Sequence, residues 1–216
     1  MNTLYPQLSP DLLSQLVKAE DMMPPQGLKT GLATFDSFVL WQGLPKGEIS
    51  VFEGARGLGA TSFWLEAVRI VHSHKKWAAY VTDSVTLLPQ HLQSKGIDLS
   101  RLLVVKKPQE RDSFFNILQE MISSTLFETI ACQICDANLA QHQLLKLKKL
   151  CRTYKVALVL LSSRSLQYQQ HLTALYMQFK NNFITIKKAA HRLTPFTFEA
   201  GALYAHHLPQ IFQKYR

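Results

Sequence analysis

No apolar run in this sequence approaches the ~20 residues needed to span a bilayer, so no membrane-crossing helix and no membrane partner is expected. The start, MNTLYPQLSPDLLSQL, lacks both the basic and the apolar segment of a secretory signal. Cysteine is scarce: Cys132, Cys135 and Cys151 are an odd number in 216 residues. That argues against a disulfide framework and for reduced thiols, hence a cytoplasmic location. Internal repeats and low-complexity tracts are missing. Acidic residues are few, 15 against 24 Lys and Arg, for a net charge of +9. Such a balance suits an anionic partner, either nucleic acid or an acidic protein surface.

What is present is enough apolar residue for a packed core. Hydrophobic residues make up 47% of the chain, and mean hydropathy is −0.03, values that exclude a disordered polymer. Residues 9–20 read as a short amphipathic helix with Ser9 as N-cap, Pro10 at the first helical position and Asp11 in the first turn. Its apolar stripe is Leu12, Leu13, Leu16 and Val17. Pro24-Pro25 then interrupts regular structure. The expected organisation is a helical arm over 1–22, a linker over 23–27, a core over 28–204 and a tail over 205–216.

Within the core, short runs that are apolar nearly throughout fall at 48–54, 77–83, 101–106, 129–135 and 156–163. Strands buried on both faces of a parallel sheet have this character. Helical patterns separate them at about 60–75, 85–95, 110–125 and 138–154. The alternation predicts an α/β fold with a mostly parallel central sheet flanked by helices. Segments 183–188 and 196–204 are expected as terminal, partly antiparallel strands.

Between the first strand and first core helix lies GARGLGATS, residues 54–62. A phosphate-binding loop reads G-x-x-x-x-G-K-[ST]. Gly54 and Gly59 hold the spacing and Thr61 the hydroxyl, but Ala60 stands where the lysine belongs. The surrounding residues resemble the RecA family: Thr30-Gly31, Phe35-Asp36, the turn Gly43-Leu44-Pro45-Lys46-Gly47, and KGIDLSRLLVVKKPQ over 95–109. The resemblance covers roughly residues 28–204 and implies a RecA-like core.

Checked position by position against that family, the catalytic parts are missing. Ala60 replaces the lysine that reaches the β- and γ-phosphates, and Val85, in Asp83-Ser84-Val85, replaces the glutamate that polarises water. Gln133 replaces the acid that helps hold magnesium, and the γ-phosphate sensor falls near Ser162-Ser163. Phosphoryl transfer depends on positioned charge, so the expectation is a chain that is not an enzyme and keeps no cofactor. Asp136, three residues beyond Gln133, takes the acid's place if the register slips, which would leave a weak ATPase. The first of the family's two DNA loops is missing, because Gln133 runs almost directly into the helix of 138–154. The second is reduced to 164–172.

These losses resemble one branch, the ImuA proteins of bacterial SOS mutagenesis cassettes, which are related to the SulA division inhibitors. That resemblance implies a catalytically inactive accessory of translesion DNA synthesis whose partners are RecA and ImuB, an inactive Y-family polymerase homologue. A SulA-like inhibitor of the division GTPase FtsZ and a sequence-independent DNA-binding repair accessory are the competing readings.

Candidate contact residues follow. Leu12, Leu13, Leu16 and Val17 could pack on RecA, as the equivalent helix does between RecA protomers. Lys187, Lys188, His191 and Arg192 occupy the stretch where RecA sends lysines to a neighbour's nucleotide. Lys146, Lys148, Lys149 and Arg152, with Lys155, crowd one helix opposite Leu144, Leu147, Leu150, Cys151 and Tyr154. They are candidate DNA contacts or an ordinary solvated face. Cys132-x-x-Cys135 reads as small buried hydrophobes rather than a metal or redox pair. His72 and His74 read as a solvated helix end, and HLPQIF at 207–212 as an incomplete sliding-clamp motif.

Overall fold

The computed structural model describes residues 26–83, 87–108, 110–134, 139–164, 171–180, 183–189 and 195–199. The expected arm, most of the linker, the tail, and Val85, Cys135, Asp136, His191 and Arg192 lie outside the described residues.

A short antiparallel pair, β1 (Gly27–Leu28) and β2 (Leu44–Pro45), brackets helix α1 (Ala33–Phe38). Asp36 explains the Thr-Gly and Phe-Asp elements of this entry segment. Its carboxylate accepts from Thr30 N at 3.1 Å, Thr30 Oγ1 at 2.8 Å and Gly31 N at 3.0 Å. Burial pushes the Asp36 carboxyl up, against those hydrogen bonds. The motif therefore ties a turn and serves the fold.

The main sheet contains β3 (Ile49–Glu53), β4 (Trp77–Thr82), β5 (Leu102–Lys106), β6 (Phe127–Ile134), β7 (Ala157–Ser162), β8 (Leu175–Lys180), β9 (Phe183–Ala189) and β10 (Phe196–Glu199). Their order is β10-β9-β8-β3-β7-β6-β4-β5. Every pairing from β8 through β5 is parallel, and β9 and β10 close one side antiparallel. The fold is thus α/β with a mostly parallel sheet, as expected from the alternation.

Helices α2 (Ala60–Ser73), α3 (Pro89–Ser94), α4 (Arg111–Ser123) and α5 (Gln141–Tyr154) connect the strands. One core lies between α1, α2 and one sheet face, where Phe35, Phe52, Phe63, Trp64 and Phe179 are buried. A second lies on the opposite face under α4 and α5, around Phe114, Leu118, Leu144, Leu147 and Cys151. Trp64 Nε1 donates to Thr129 Oγ1 at 3.1 Å, and that hydroxyl donates to Ala157 O at 3.0 Å. The indole thereby pins α2 across β6 and β7 while satisfying its own buried N–H.

The structure adds one strand and corrects two expectations. β8 occupies a central place beside β3, although no strand is expected there; Gln178 breaks its apolar pattern. β5 is not buried on both faces: it is the sheet edge, with Leu103 and Val104 exposed. His72 is not solvated. Its ring is 6% exposed and its Nδ1 accepts from Asp98 N at 3.1 Å. His74, by contrast, is exposed at the helix end, with its Nδ1 2.9 Å from Ile70 O.

Candidate functional site

The glycine loop leaves the C-terminal end of β3, the place where open α/β sheets hold ligands. Gly54 N donates to Ser162 O at 2.8 Å, joining the loop to the end of β7. A Cβ on Gly54 would sit 2.9 Å from Phe179 Cβ and 3.0 Å from Phe179 O. The first glycine of the motif is thus required by close packing on β8. Gly57 and Gly59 have φ of 89° and 96°, a region that disfavours side chains. Gly59 caps α2, so the loop opens directly onto a helix N-terminus.

The loop encloses a cavity of about 260 Å³ whose walls include Gly54, Ala60, Thr61, Tyr80, Gln133 and Ser162. Tyr80 had no sequence signal; its phenol is buried against α2, stacked with Trp64 at 5.6 Å. Desolvation pushes that phenol's pKa up, opposed by hydrogen bonding to Thr61 and Thr82. Ala60 contributes a methyl group where an ammonium would reach phosphate. Arg56 is the charged side chain lining the cavity among the described residues, and it turns to Asp83, Nη2 to Oδ1 at 3.1 Å.

Gln133 sits one residue from the end of β6 and meets Thr82 Oγ1 at 2.7 Å. The amide orientation that satisfies its neighbours donates Nε2–H to Asp83 Oδ1 (3.3 Å) and accepts from Arg56 Nε (3.2 Å). An arginine, a carboxylate and an amide therefore bond to one another beside the loop. Glu53, just before the loop, accepts from Gln178 Nε2 at 2.8 Å and from the Tyr176 hydroxyl. Among the described residues the cavity is lined by no lysine, and Gln133 places a neutral amide near the end of β6.

Of the other predicted residues, Lys148, Arg152 and Lys188 come together at the opposite pole of the sheet. Lys148 and Arg152, one turn apart on α5, both reach Glu48 at the start of β3. Arg152 Nε and Nη2 meet Glu48 Oε1 at 2.8 and 2.6 Å, and Lys148 Nζ lies 3.5 Å from Oε2. Lys146 points elsewhere, 5.5 Å over the Phe115 ring, and Lys149 is exposed. The basic helix is therefore not one uniform face. Lys187 lies on β9 next to Lys188, whose Nζ donates to Thr173 O at 2.8 Å. Lys188 thus joins Lys148 and Arg152 in a common groove. Glu48, which organises that groove, had no signal in the sequence.

Cys132 and Cys151 are buried free thiols, each pushed up to about 12 by desolvation. Thiols so held are poor ligands and nucleophiles. Among the described residues, no group of three or more His, Cys, Asp or Glu side chains converges on a metal position, and no helix is long and apolar enough to cross a membrane.

With strand order and glycine loop established, the chain is a weak, partial relative of RecA proteins. It is 22% identical over 144 residues to RecA of Chlorobium limicola, covering 67% of this chain and 41% of that one. It is 32% identical over 88 residues to RecA of Mycoplasma mycoides, covering 41% of this chain and 25% of that one. The chain thus spans less than half the length of these curated relatives. No family model matches it.

Proposed function

We propose that this chain is a non-hydrolysing RecA-like accessory protein of SOS-induced translesion synthesis, of the ImuA type, which acts by binding RecA and an ImuB-like polymerase homologue. The observation carrying the reading is the glycine loop itself: Ala60 replaces its lysine, and Arg56, Asp83 and Gln133 are bonded together beside it. Catalysis by positioned charge has little to work with there. A scaffold kept without its chemistry is well suited to imitating a filament neighbour. In this reading the stripe Leu12, Leu13, Leu16 and Val17 packs on a RecA core, while Lys187, Lys188, His191 and Arg192 face RecA from another side. A helix this short needs a partner surface to be stable. The consequence for RecA is filaments that end or loosen.

Co-purification of the full chain against RecA, ImuB and FtsZ tests the proposal. Retention of RecA and ImuB, with RecA weakened by Leu12→Asp plus Leu16→Asp or by charge reversal over 187–192, is expected. Retention of FtsZ alone would replace this reading with the division-inhibitor one. RecA capture unchanged by both sets of variants would rule out docking by mimicry.

A further inference from the structure

The groove opposite the glycine loop is the larger cavity, about 580 Å³. It opens at the N-terminal ends of β3, β7 and β8, about 16 Å along β3 from the loop. Lys46, Lys148, Arg152, Lys155 and Lys188 line it, against Glu48 as the carboxylate among the described lining residues. Lys46 is paired outward with Glu128, which also meets Lys76 at 3.8 Å. Arg152 takes Glu48 Oε1, while Oε2 faces Lys148 at 3.5 Å without a hydrogen bond among the described residues. Among the described residues, Lys148 and Arg152 thus share Glu48, and Lys155 meets no carboxylate.

Two elements bring these cations together. α5 is followed by Lys155 as its C-cap in a left-handed conformation (φ 58°), which turns the chain back into β7. β9 runs antiparallel to β8, so Lys188 comes opposite Tyr176 near the start of that strand. Burial and the nearby Lys148 ammonium both push the Lys188 pKa down, with Glu48 opposing them. Like charges held close in a concavity are unfavourable unless an anion lies between them.

We propose that this groove is a phosphate-binding site, separate from the glycine-loop cavity, in which Lys148, Arg152, Lys155 and Lys188 contact the phosphates of a nucleic-acid strand or a free polyphosphate. Glu48 holds the cations in place when the groove is empty and competes with the incoming anion. The arginine supplies a planar fork and the lysines supply mobile point charges, a combination suited to phosphate oxygens. Lys146 and Lys149, on the same helix, lie outside it.

Calorimetric titration with sodium pyrophosphate and fluorescence anisotropy with a labelled single-stranded oligonucleotide, both on the full chain, test the site. Binding of pyrophosphate alone marks a free polyphosphate ligand, and mutual competition marks a strand crossing the groove; either supports the site. Lys188→Met and Lys155→Asn are each expected to weaken binding about tenfold. Asn is chosen at 155 because it tolerates the left-handed backbone. Glu48→Gln should tighten binding about two- to fivefold, as removal of the carboxylate that competes with the anion allows. That gain cannot come from a variant that fails to fold. The effects should be stronger at low salt. The proposal is overturned if neither probe binds, or if Glu48→Gln gives no gain. It is equally overturned if Arg56→Gln or Lys149→Gln removes binding as strongly as the groove variants do.

Discussion

At the C-terminal ends of the central strands, a glycine loop surrounds a cavity whose lining arginine is bonded to Asp83 and Gln133. At their N-terminal ends, a cavity roughly twice as large gathers lysines and an arginine around Glu48. The first has a glycine loop at a helix N-terminus, with Ala60 where a phosphate-binding loop carries lysine. The second brings cations from a helix and a strand around one glutamate. Packing alone accounts for the loop's glycine and the helix behind it: a Cβ on Gly54 would meet Phe179, and Phe63 and Trp64 hold α2 against Phe52 and Tyr80 of the sheet.

Removing packing at one end and charge at the other should have very different effects on stability. Phe63 is fully buried, 4.9 Å from Phe35 and 5.4 Å from Phe52. Phe63→Ala is expected to destabilise the fold by ~3–5 kcal/mol in urea unfolding. Lys155→Asn, at the other pole, should change stability by less than ~1 kcal/mol. Equal effects would show that the loop end is not the packed scaffold described.

A smaller effect belongs to His72, at the end of α2 away from the loop. Burial holds its imidazole neutral, with pKa below the usual 6.5, and Asp98 only partly opposes that shift. The unfolded ring still takes a proton near 6.5. The stability drawn from His72 is therefore complete above that value, declines as the pH falls through it, and levels off once the folded ring also protonates. Melting temperatures measured between about pH 7.5 and about pH 5.5 should fall less in His72→Asn than in the parent. A steeper fall in the variant would reverse the sign assigned here.

The legible part of the fold was the part written in local pattern. Apolar runs marked β3, β4, β6 and β7, and left-handed glycines marked the loop. β8 stayed hidden because Gln178 is polar for a tertiary reason, its bond to Glu53 on the neighbouring strand. The exposure of β5 was hidden because strand order is not a local property. At the candidate sites, the missing lysine could be read directly at Ala60. The Arg56–Asp83 pair spans 27 positions and the Glu48–Arg152 pair 104. Neither spacing is a motif, so which cations converge and which point away had to come from the structure. Lys146 and Lys148 differ by two positions and reach different elements.

Single-turnover ATP hydrolysis with magnesium tests most directly the proposal that the glycine-loop end does not catalyse. Purified full-length protein, with and without single-stranded DNA, is expected to release phosphate no faster than a protein-free control. The same result is expected for Asp136→Ala. DNA-stimulated release by the parent that disappears in Asp136→Ala would contradict the account and place the missing acid at 136.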